Sequence, residues 1–165
     1  MLILGIDPGI NVTGYAVIEK NPHSNALKLR EGGVIRGKGL SALPDRILEI
    51  YRNLMEIMDQ WKPEAMALEE VYSHYERPKT AIIMGHVRGV ICLAAAEHGM
   101  PVFSYSATTV KKTLTGSGRA SKEQMQRAIQ LEFRLAAVPE PPDLADALAI
   151  AMCHGFHAGA LGGSV

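Results

Sequence analysis

Cysteine is nearly absent. Only Cys92 and Cys153 occur in 165 residues, too few for a disulfide scaffold or a cysteine-rich zinc site. A reducing, cytoplasmic compartment is the expectation. Long apolar runs are missing too. The longest, Val90 to Ala96, has seven residues, whereas a transmembrane helix takes about 20, so no membrane span is expected. The start, MLILGIDPG, lacks a basic lead-in and reaches an acid at Asp7, unlike a secretory signal. Net charge of either sign is also lacking: 17 basic residues face 17 acidic ones. That argues against a protein coated in positive charge.

What is present has the makeup of a globular domain, 47% hydrophobic and 21% charged. The length fits one domain of about 100–200 residues, expected to span 1–158 with a short tail at 159–165. At this size roughly 68–70% of the unfolded surface is buried, enough for a core without crosslinks. Charge is unevenly spread. Between Arg77 and Arg134 nine basic residues stand against three acids, a net +6 that the rest of the chain cancels. Such polarity permits one face to meet a polyanion while the whole stays neutral.

Periodicity supplies the elements. Leu2–Asp7, Val12–Glu19 and Ala26–Arg36 read as three strands with short breaks, an antiparallel meander. Ile47, Ile50, Tyr51, Leu54, Met58 and Trp61 then recur at three- and four-residue intervals, predicting a helix over 44–61. Lys62-Pro63 ends it, because a residue before proline avoids the α region. Ala65–Glu70 is a fourth strand, 79–98 a second helix and Val102–Tyr105 a fifth strand. A Ser-x-x-Gln capping box at Ser121 opens a helix to about Arg134, and a last helix runs from about 142 to 158. The predicted class is α/β: a mixed five-stranded sheet, three antiparallel strands plus two parallel, flanked by helices.

Acids mark the candidate site. Asp7 and Glu69 each end an apolar strand. Asp143 and Asp146 lie three apart on the last helix, so they neighbour each other on one face. Like charges that close are unfavourable unless a cation lies between them, although the helix dipole alone also favours acids in a first turn. Four carboxylates suit hard cations such as Mg²⁺ or Mn²⁺. Two such ions could activate water against a phosphodiester. Glu69 and Glu70 point to opposite faces, and spacing does not choose between them. His154 and His157 lie about 12 and 16 Å along the helix from Asp146, too far to join the same ion. Lys111, Lys112 and the Gly116-Ser117-Gly118-Arg119 loop lead into the capped helix at Lys122, an arrangement that suits phosphate as well as it suits a plain flexible loop. Tyr72 could stack on an unpaired base or cap the core. Gly85 and Gly89, each costing about 1 kcal/mol inside a helix, point to close helix approach, in a dimer or within the domain.

These residues together resemble the RuvC family of crossover junction endodeoxyribonucleases, over about 2–158. Leu4-Gly5-Ile6-Asp7-Pro8-Gly9 with Thr13-Gly14-Tyr15 resembles the family's opening, and Ala67-Leu68-Glu69-Glu70-Val71-Tyr72 its second acidic motif. Arg88-Gly89, Val110-Lys111, the Gly116-to-Lys122 stretch and Asp143-Leu144-Ala145-Asp146 follow in order. The resemblance implies an RNase H-like fold, a homodimer, paired metal ions and symmetric nicks across a four-way (Holliday) junction in DNA recombination and repair. It implies Asp7, Glu69, Asp143 and Asp146 as metal-binding acids, choosing Glu69 over Glu70. Lys111 and Lys122 take DNA-contact and catalytic roles, Tyr72 the place of a junction aromatic, and the RuvA–RuvB branch-migration complex that of a partner. The stretch 73–77 and His86 depart from the family's usual residues. Two other classes compete. A sugar-kinase or actin-like ATPase shares Gly-x-Asp-x-Gly but needs a second phosphate loop, which is not visible. A non-catalytic junction-binding module would have no need of four acids.

Overall fold

Strand β1 (Leu2–Asp7) is apolar on both faces because both faces are covered. In the computed structural model, which describes residues 1–37, 42–70 and 78–161, β1 is the centre of a five-stranded sheet. Strand β2 (Val12–Lys20) pairs with it antiparallel, Leu2 opposite Glu19 and Asp7 opposite Gly14. Strand β3 (Leu27–Arg36) completes the meander. On the other side β4 (Ala65–Glu69) and then β5 (Val102–Tyr105) add in parallel, giving the order β3-β2-β1-β4-β5. The expected mixed α/β sheet is the observed one.

Two layers cover it. Helices α1 (Leu43–Trp61) and α2 (Pro78–Glu97) take the face bearing Leu4, Ile6, Val17, Met66 and Leu68. Helix α1 turns Ile50, Leu54, Ile57 and Met58 inward and stops at Lys62, which adopts the left-handed conformation (φ 49°) ahead of Pro63. The opposite face, with Ile3, Ala16, Ile18 and Ala67, receives α5 (Pro142–Leu161). Helix α5 runs to Leu161, past the expected end at 158, its extension Gly159-Ala160-Leu161 including two strong helix formers.

Two expectations need correction. With Asp143 and Asp146 on one face, spacing leaves α5 a single core-facing side opposite them, Leu144, Leu148, Ala151 and Met152, but Ala145 and every residue from Ala147 to His154 are buried. The outer side is covered by α3 (Ala107–Thr115) and α4 (Lys122–Glu132), which bring Val110 and Ile129 onto it. Helix α3 itself is missing from the sequence reading. Its nine residues carry only a short apolar stripe, Ala107, Val110 and Leu114, and its ends are marked. The Ser106 hydroxyl accepts from Thr109 N at 3.1 Å, and Gly116 closes the helix at φ 79°.

Helix α2 is half a core helix. Val87, Ile91, Ala94 and Ala95 are buried, while Ile82 and Leu93 are 63% and 53% exposed. By length and composition it is apolar enough to cross a membrane, although its mean hydropathy is only 1.4 over the best window. Its buried face packs on the domain's own core. A Cβ added at Gly85 or Gly89 would meet nothing within 4 Å, so packing among the described residues does not account for either glycine.

Candidate active site

The pleat chooses the acid on β4. Ala65, Ala67 and Glu69 alternate with Met66, Leu68 and Glu70. Ala67 belongs to the core under α5 and Leu68 to the core under α1 and α2, so Glu69 shares the α5 face and Glu70 does not. Asp7 ends β1 on that same face, one step beyond the Ile6–Leu68 pair. The strand end is held in place: Glu69 pairs with Tyr105, and Glu70 N donates to Tyr105 O at 2.9 Å.

Two glycines bring α5 to these acids. A Cβ on Gly5 would stand 2.4 Å from Ala147 O, and one on Gly14 only 2.0 Å from Asp143 O. Gly14 is the strand partner of Asp7. The helix backbone therefore lies directly on the sheet at that point, with Asp143 beside Asp7 and Asp146 one turn on. Thr13 clasps the turn between β1 and β2, its hydroxyl donating to Gly9 O at 2.6 Å.

The cost of this gathering appears in the protonation equilibria. Burial, then the charges of Glu69, Asp146 and Asp143, push the Asp7 carboxyl up to about 8, and its protonated form hydrogen-bonds Glu69. Glu69 is also raised, by burial and by Asp146, although the bond from Asp7 and the charges of Arg88 and Lys111 pull the other way. Asp146 keeps an exposed edge, yet burial of its carboxyl and the neighbouring Asp143 raise it against Lys122 and Lys111. Carboxylates that resist ionising side by side are what a divalent cation relieves. Among the described residues no three such ligands already stand in closed coordination. The donor set, all oxygen and over-charged, nonetheless fits hard divalent ions, with Asp7, Glu69, Asp143 and Asp146 as the residues to hold them.

Cations flank the acids on the β4–β5 side. Lys111 and Lys122 join Glu69 and Asp146 around a cavity of about 160 Å³, floored by Val110, Ile129 and Ala149. Lys122 opens α4 behind a complete capping box. Lys112 and Arg119 are exposed and outside that lining. Sequence reasoning gave Arg88 no role, yet its guanidinium donates to the carbonyl of Glu69 and, at 3.4 Å, to Ser104 Oγ. A lone Arg on an apolar helix was the available signal. Tyr72 and the 73–77 stretch lie outside the described residues. His154 is a core histidine bonded through Nδ1 to the Tyr105 hydroxyl at 2.8 Å, and His157 caps back onto Cys153 O.

Residues 3–154 match the family model for crossover junction endodeoxyribonuclease RuvC. The chain belongs to the RuvC family. A RuvC of Rhodopirellula baltica is 54% identical over 92% of this chain and 84% of its own length. One of Alkaliphilus oremlandii is 42% identical over 93% and 92%. Among solved structures, Thermus thermophilus RuvC superposes with a TM-score of 0.89 at 34% identity, over 97% of this chain and 96% of that one. T. thermophilus RuvC in complex with a Holliday junction substrate gives 0.88 over 96% and 94%. The RNase H-like sheet with its covering helices is thus the RuvC architecture, and the enzyme class is that of these endonucleases.

Proposed function

We propose that this chain resolves four-way DNA junctions by metal-dependent phosphodiester hydrolysis, working as a homodimer in the cytoplasm. The observation that carries the reading is the convergence of Asp7, Glu69, Asp143 and Asp146 at one sheet end, next to Lys111 and Lys122. Asp7, Glu69, Asp143 and Asp146 would hold divalent ions, Mg²⁺ or Mn²⁺ and two per site, which would supply Lewis acidity toward a water and the phosphate. The four carboxylates orient that chemistry and, as they ionise, exchange mutual repulsion for attraction. Lys111, half-buried beside Glu69, and Lys122 at the cavity mouth place fixed positive charge where the phosphate oxygens lie. Arg88 keeps the end of β4 from drifting. Lys112, Arg119 and Tyr72 would extend contact along the DNA, and an RuvA–RuvB complex would supply the junction.

The test is cleavage of an end-labelled synthetic four-way junction beside a linear duplex of equal length, with Mg²⁺, Mn²⁺ or chelator. Paired, metal-dependent nicks confined to the junction are expected. Tight binding without cutting under either metal would favour the non-catalytic module.

The dimer rests on α2. Ile82 and Leu93 are exposed, Gly85 and Gly89 open a groove for a second helix, and Leu48, Tyr51 and Val90 continue the apolar surface. Leu93→Glu should weaken self-association by at least about 100-fold, since it buries an unpaired charge. Light scattering would report monomers with an unchanged circular dichroism spectrum, and paired nicks would give way to few or none. A variant that still sedimented as a dimer would place the interface elsewhere.

A further inference from the structure

Beyond the lysine flank, the sheet end carries a second group of cations that the sequence reading passed over. Asn11, Arg36, Gly37 and Arg46 line a recess beside the turn that follows Asp7. Arg36 ends β3 opposite Val12. Gly37 N donates to Asn11 O at 3.4 Å. Arg46, in the first turn of α1, donates from Nη1 to Asn11 Oδ1 at 2.9 Å, which sets the plane of its guanidinium. A Cβ on Gly37 would stand 3.3 Å from Cγ of Arg46, so glycine lets the two segments close up.

Among the described residues no carboxylate lines this recess; Asp45 of the same helical turn is not among its walls. The Arg36 side chain makes no hydrogen bond or ion pair among the described residues. Arg36 and Arg46 bring two guanidinium groups to one recess. Their planar forks match phosphate oxygens, and the N-terminal end of α1 favours negative charge.

Position names the anion. In the order β3-β2-β1-β4-β5, the acids sit on β1 and β4, Lys111 and Lys122 beyond them toward β5, and Arg36 on β3. Strands are about 4.8 Å apart and Arg36 lies two residues beyond Val34, the residue level with Asp7, so Arg36 stands roughly 12 Å from Asp7, about three nucleotides' rise along a duplex strand. The acids lie between two cationic flanks, as a strand crossing the sheet end would require. We propose that Asn11, Arg36 and Arg46 form a phosphate-binding subsite that grips the DNA backbone about three nucleotides from the cut bond, opposite Lys111 and Lys122. This rests on the reading of the chain as a junction nuclease.

The test is the salt dependence of binding to a four-way junction, in chelator so that nothing is cut, for wild type, Arg36→Gln and Arg36→Gln/Arg46→Gln. Each lost phosphate contact lowers the slope of log K against log salt by about 0.9. In the homodimer each substitution removes two contacts, so the single variant should lose about 2 and the double about 4, with affinity down by at least about 10-fold near physiological salt. Lys28→Gln/Arg30→Gln, which removes equal charge from the other end of β3, should leave the slope unchanged. Equal slopes for wild type and Arg36→Gln, whose melting temperature reports folding, would overturn the subsite. A wild type that, once Mg²⁺ or Mn²⁺ replaced the chelator, cut neither junction nor duplex would overturn the nuclease reading instead.

Discussion

Asp7→Asn removes metal-dependent junction cleavage, by at least about 10³-fold, and at the same time makes the metal-free protein more stable. The first effect follows from deleting one charged oxygen donor of a site whose ions contribute several kcal/mol to the barrier. The second follows from the proton. Asp7 titrates near 8 in the folded chain against an ordinary 3.8, so between those values the native state binds more protons than the unfolded one. Stability is then fully present below about pH 4 and is lost as pH rises through 8. Asparagine keeps the bond to Glu69 and carries no charge to desolvate. The half-open rim and the coupling to Glu69 reduce the realised gain to about 2 kcal/mol, or about 4–8 °C at this size. Thermal melts in chelator at pH 5 and pH 8 test it. The variant should match wild type at the lower pH, exceed it at the higher, and lose the advantage when Mg²⁺ is added. An unaltered melting temperature at pH 8, or cleavage within tenfold of wild type, would refute the account.

The same pair of acids marks how far sequence alone reaches. That Asp7 and an acid of β4 end apolar strands is visible directly, because strands buried on both faces read as continuous apolar runs. Which of Glu69 and Glu70 faces Asp7 is not visible. It depends on which helix covers which face, and alternation within five residues carries no such label. Helix α5 shows the same limit. Its alanines look like a weak apolar surround until α3 is found, and α3 carries only the short stripe Ala107, Val110 and Leu114 between its end signals Ser106 and Gly116. The roles of Arg88 and Arg46 are tertiary in origin: each reaches a backbone or a side chain distant in sequence. Gly85 and Gly89 were legible as anomalies, with two explanations left open. The empty space over both, in a single protomer, removes one of them among the described residues.

Glycine substitutions should separate the two uses of glycine sharply. Gly14→Ala puts a methyl group 2.0 Å from Asp143 O and 2.5 Å from its carbonyl carbon. Both are backbone atoms of α5, so the strain cannot be relieved by turning a side chain. Either α5 lifts from β2, taking Asp143 away from Asp7, or the meander bends. Overpacking of this kind costs about 1–3 kcal/mol or more. A displacement of about 1 Å at the acids should cut turnover about 100-fold, even where the protein remains folded. Gly85→Ala meets open space on a helix and should stabilise the isolated protomer by about 1 kcal/mol. Its cost falls on the approach of a second α2, as weaker self-association. Denaturation midpoints, sedimentation and junction cleavage, measured for both variants, distinguish these outcomes. Gly14→Ala should lose stability and cleavage together while binding junction DNA in chelator, and Gly85→Ala should gain protomer stability while losing dimer. If Gly14→Ala cleaved at the wild-type rate, the close seat of α5 on β2 would not be what holds Asp143 at the site.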